Sequence, residues 1–69
     1  MKKQQVRAVL FEFIHIGAYV KVTAVDETTG IEVSIVGDPA RSEDYLKRIA
    51  MQKLERVIAK KHASDKKKI

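Results

Sequence analysis

Two runs of alternating residues surround a polar loop in the first half of this chain. Ala18, Val20, Val22 and Ala24 alternate with Tyr19, Lys21, Thr23 and Val25, and after the loop Ile31, Val33 and Ile35 alternate with Glu32, Ser34 and Val36. Between them lies Asp26-Glu27-Thr28-Thr29-Gly30, a turn sequence closed by glycine. Period-two runs on either side of such a loop predict a β-hairpin. A turn through Glu27-Thr28 with Gly30 at positive φ pairs Asp26 with Ile31, and so sets Ala24 opposite Val33 and Val22 opposite Ile35. Upstream, Val6 to Ile16 is rich in β-branched and aromatic residues, with Glu12 as an internal charge. Gly17-Ala18 then fits a two-residue type II′ turn, which pairs Ile16 with Tyr19, His15 with Val20, Phe13 with Val22 and Phe11 with Ala24. Both turn rules place Phe11, Phe13, Val20, Val22, Val33 and Ile35 on one face.

The second half changes period. Gly37-Asp38-Pro39 stops the third strand, Ser42 is a good N-cap, and Glu43 and Asp44 suit a first helical turn. From there Leu46, Ile49, Ala50, Leu54, Val57 and Ile58 recur at helical spacing, with Met51 widening the stripe and Arg48, Gln52, Glu55 and Arg56 opposite. The helix is expected from about Glu43 to about Lys61. The fold class is α+β: a three-stranded antiparallel meander and one long C-terminal helix packed on the Phe11–Phe13 face, in the order β-β-β-α. Residues 1–5 read as a flexible N-terminus, 6–61 as the single domain and 62–69 as a disordered lysine-rich tail.

The other sheet face is unusual for one turned to water. It carries Leu10, Ile14, Ile16, Tyr19, Val25 and Val36 among Glu12, Lys21, Thr23, Glu32 and Ser34. A solvated face normally holds more charged and hydroxylated side chains. Glu12 lies one diagonal step from Lys21, close enough for a cross-strand ion pair. A chain of 69 residues has a small core and usually needs a staple. With no cysteine, disulfides and most structural zinc sites are excluded. Oligomerisation is the staple left, so the six apolar residues of the second face form a candidate self-association surface. Association could run face to face, or edge to edge along the first strand, whose Val6–Leu10 end is expected to overhang its neighbour. A two-fold dimer is the favoured assembly.

Charge alters this picture little. The net charge is +5, but between Val6 and Ala59 seven basic residues face eight acidic ones. The excess sits on the ends, notably Lys60, Lys61, Lys66, Lys67 and Lys68. Those lysines are candidate contacts for a polyanion through loose, salt-sensitive attraction. Nucleic-acid binding is therefore the alternative function. A meander followed by a helix resembles the latter part of a double-stranded-RNA-binding domain, whose last helix opens on phosphate-binding lysines. Arg41-Ser42-Glu43-Asp44 is mostly of the opposite sign.

Catalytic candidates are few. His15 is a strand-end histidine expected to be half-buried, and His62 stands far from it. Asp26, Glu27, Asp38, Glu43 and Asp44 have turn or capping duties, and each glycine serves a chain reversal or a strand end. A non-catalytic protein without metal or cofactor is expected. No apolar run nears a membrane span, and no secretory leader pattern is present, so a cytoplasmic location is expected.

Phe11-Glu12-Phe13 with Ile16-Gly17, Val20-Lys21-Val22, the run Thr29 to Gly37, and the helical Leu46-Lys47-Arg48-Ile49-Ala50 and Lys53-Leu54 resemble a family of short uncharacterised bacterial proteins, a domain of unknown function. The likeness spans nearly all but the tails. It implies a small stand-alone protein with no assigned activity, and no catalytic residues are carried over from it.

Overall fold

The structure is a computed structural model and describes residues 8–67, with side chains as far as residue 61. Strand β1 covers Val9–Ile16, β2 Tyr19–Asp26, β3 Glu32–Gly37, and helix α1 Glu43–Lys67. The strands form one antiparallel sheet in the order β1-β2-β3. The expected flexible segment 1–5 lies outside the described residues, as do the last two positions of the tail.

The register follows from the turns. Gly17 has φ 58° and Ala18 keeps a negative φ, the type II′ pattern, and β1 pairs with β2 as Ile16–Tyr19, Phe13–Val22 and Phe11–Ala24. Gly30, at φ 79°, donates its N–H to the Asp26 carbonyl (2.8 Å), while Asp26 N–H donates to the Ile31 carbonyl (2.9 Å). Ala24 then faces Val33, and Val22 faces Ile35. Among the described residues the first strand does not overhang, since Val9 pairs with Asp26 and Glu27 N–H donates to the Ala8 carbonyl at 3.0 Å; Val6 and Arg7, the rest of the expected overhang, lie outside them.

The Asp26 side chain fixes the second turn. Its Oδ1 accepts from Thr28 N–H (3.3 Å) and its Oδ2 from the Thr29 hydroxyl (2.9 Å), and the Thr29 oxygen accepts in turn from Ile31 N–H (3.2 Å). The residue is fully buried. Its depth was not visible from the sequence, where it reads as an ordinary turn aspartate.

At the other end of the sheet Asp38 Oδ1 accepts from Ala40 N–H (2.9 Å), turning the chain at Pro39. Ser42 caps the helix, its Oγ accepting from Tyr45 N–H at 3.1 Å. The helix runs on to Lys67, past the expected end near Lys61, and so into the segment read as tail. The continuation Ala59-Lys60-Lys61-His62-Ala63-Ser64-Asp65-Lys66-Lys67 contains no glycine or proline to stop it. Its lysines also suit the negative end of the helix dipole.

Leu46, Ala50 and Leu54 of α1 are buried against Val20, Val22, Ala24 and Val33. The helix packs on β2 and β3. Phe11 and Phe13 are therefore half-buried at its flank, and His15 is exposed where half-burial was expected. Lys47 leans over the gap, with Nζ 5.6 Å from the Phe11 ring centroid, a cation–π contact.

Gly37 has a packing role beyond ending β3. A Cβ built there would lie 2.5 Å from Leu46 Cδ2, so that the Leu46 side chain, only 4% exposed, would have to shift. Gly37→Ala is expected to lower unfolding free energy by about 1–3 kcal/mol through overpacking, read from urea denaturation. Asp26→Ala should cost about 1.5–3 kcal/mol in the same measurement, because it removes charge-assisted bonds inside a buried turn.

Candidate functional site

Alternation along the strands places every even-numbered β1 residue and every odd-numbered β2 residue on the sheet face away from the helix. The register arranges that face in cross-strand rows. Leu10, Val25 and Glu32 form the first, Glu12, Thr23 and Ser34 the second, Ile14, Lys21 and Val36 the third, and Ile16 with Tyr19 the last.

All six residues expected on the self-association face lie on it. Leu10 (55% exposed) and Val36 (64%) are the most open, and Ile14, Ile16 and Tyr19 are each about two-fifths exposed. Val25 is only half-buried rather than open, sheltered between Leu10 and Glu32 in its row. The face is less uniform than its apolar residues suggest. The Glu12–Thr23–Ser34 row crosses it as a polar band, closed by a 2.9 Å hydrogen bond between the Thr23 and Ser34 hydroxyls. No ion pair joins Glu12 to Lys21 among the described residues, contrary to expectation. Lys21 sits half-buried between Ile14 and Val36, its aliphatic stem extending the apolar surface at the hairpin end. That end, with Ile14, Ile16, Tyr19 and Val36, is the larger patch, and Leu10 with Val25 is a smaller one across the band.

The two sheet edges differ. Asp26 N–H bonding to Ile31 puts the inward amides of β3 on odd-numbered residues, so Ser34 turns its carbonyl to the open edge. Lys53 Nζ donates to that carbonyl at 2.9 Å. The lysine was not singled out in the sequence, since nothing local to the helix announces a contact with a strand edge.

A shallow hollow of about 220 Å³ lies between the end of β3 and the start of α1, with Gly37 and Leu46 at its floor. Arg41 stands beside it with its guanidinium carbon 5.1 Å from the Tyr45 ring centroid. Among the described residues no group of three or more His, Cys, Asp or Glu side chains could hold a metal ion. Lys60 and Lys61 are exposed on the helix, whereas the Lys66, Lys67 and Lys68 side chains lie outside the described residues. No helix among the described residues is long and apolar enough to cross a membrane.

A family model for a domain of unknown function (DUF6898) matches residues 6–61, the span read as the domain. No curated protein and no solved structure matches the chain.

Lys53→Met should leave the fold stable to within about 0.5 kcal/mol while uncapping the β3 edge. Dynamic light scattering is expected to show larger, concentration-dependent species for this variant. A size distribution equal to that of the original protein would mean that Lys53 does not guard the edge.

Proposed function

The chain belongs to the DUF6898 family, and we propose that it is a small, non-catalytic interaction module that self-associates through the sheet face carrying Leu10, Ile14, Ile16, Tyr19, Val25 and Val36. The observation behind this reading is the exposure of five large apolar side chains on that one face, away from the only helix of the described residues. Together these leave on the order of 400 Å² of largely apolar surface in water, most of it in the hairpin-end patch and the rest at Leu10 across the polar band, on a chain far smaller than a typical monomer. At about 25 cal/mol per Å², covering half of it contributes several kcal/mol, comparable to the full stability of a small domain.

A second copy is the partner that fits most simply. Two sheets packed face to face would put the helices outside, each inner layer meeting the other across the hairpin-end patches. The polar band limits the mode: Thr23 and Ser34 already satisfy one another, leaving Glu12 as the group that must reach the rim or a partner's Lys21. The two-fold arrangement is the commonest for such an interface.

Sedimentation velocity at micromolar concentration is expected to show a dimer. Ile14→Lys should weaken it at least about tenfold, roughly 1.4 kcal/mol, with little loss of monomer stability because Ile14 is already 40% exposed. A monomer for the unmodified protein at that concentration would refute the reading.

A further inference from the structure

The geometry points to a second contact between copies, independent of the outer face: antiparallel pairing of β1 with β1 of another chain along the free edge of the sheet. A two-residue turn makes Ile16 and Tyr19 a hydrogen-bonded pair, so even-numbered β1 residues bond to β2. Glu27 N–H on the Ala8 carbonyl fits this parity. Val9, Phe11, Phe13 and His15 therefore turn their N–H and C=O groups away from β2, and among the described residues nothing takes them up.

Such an edge ordinarily carries a blunting device: a proline, a lysine, a bulge or a covering element. The edge of β3 has one, Lys53 on the Ser34 carbonyl, with Pro39 just beyond. The eight residues of β1 contain no proline, glycine or lysine, and the helix lies over β2 and β3 instead. The same strand holds the half-open Phe11 and Phe13.

The strand suits its own copy. Pairing about Phe13 puts Phe13 against Phe13 and Phe11 against the copy's His15 on the helix side, and Leu10 against Ile16 on the other. It sets Glu12 opposite Ile14, whereas a two-fold at Glu12 would bring two carboxylates face to face. Pairing this way joins the two half-covered phenylalanine strips into one. The product ends at β3 on both sides, where Lys53 occupies the edge, so the assembly closes as a six-stranded sheet rather than growing into a filament.

Amide hydrogen exchange by NMR on the unmodified protein reads the contact directly. At high concentration the Phe11, Phe13 and His15 amides, which have no acceptor within the described chain, should exchange more than about tenfold slower than in dilute solution. His15→Pro should abolish that protection, since it removes an outward N–H and an exposed side chain. Ile14→Lys should retain it, because a lysine there meets Glu12 of the other copy. Fast exchange at all three amides in a dimeric protein overturns the edge pairing and leaves face-to-face association standing. Protected amides in an Ile14→Lys dimer do the reverse, and a monomer with fast exchange at every concentration ends both.

Discussion

One helix cannot cover three strands. An α-helix with its side chains is about 10–12 Å across, and neighbouring strands lie about 4.8 Å apart, so a single helix roofs roughly two of them. Here α1 takes β2 and β3, and the side chains are graded to suit. Directly beneath it stand the small Val20, Val22 and Ala24, each no more than 1% exposed, which let the helix sit close. The bulky Phe11 and Phe13 are displaced to β1, where they fill the flank instead of the gap between layers. Gly37 continues the same logic at the end of β3, giving up a side chain so that Leu46 can approach.

The surfaces left over follow from that placement. Among the described residues the outer face has no helix, and β1 has a half-covered inner face together with an edge that none of them guards. β3, lying under the helix, gains Lys53 as an edge cap because the helix brings that side chain within reach of Ser34. The asymmetry between the edges is thus a consequence of where the helix lies. It would also give the proposed self-association a direction, with strands added along β1 rather than along the capped β3 edge.

Much of this fold was legible because local rules happened to agree. Gly17-Ala18 and Gly30 each fix a register, and both registers put the same residues inside, so an error in one would have exposed a conflict with the other. Ser42 marked the helix start through a cap that depends only on neighbouring atoms. What periodicity does not encode is lateral position: the stripe Leu46–Ala50–Leu54 says that a face is buried, not which strands bury it. The half-exposed phenylalanines, the open His15 and the Lys53 cap all depend on that missing coordinate. Helix α1 extends over residues 62–67 for another reason: a lysine-rich composition suggests a tail, but without a glycine or proline nothing local stops the helix. Alternation alone places Leu10, Ile14, Ile16, Tyr19, Val25 and Val36 on the outer face. The polar band across it comes from three separate strands, through Glu12, Thr23 and Ser34, and emerges only once their register is fixed.

If the sheet is finished by another copy of the chain, as proposed, folding and association are linked. Thermal unfolding followed by circular dichroism over about a hundredfold range of protein concentration tests that link. A midpoint that climbs steadily with concentration is the predicted result, because mass action stabilises a folded dimer. A midpoint that stays fixed across the range would mean that the domain is complete by itself and does not self-associate.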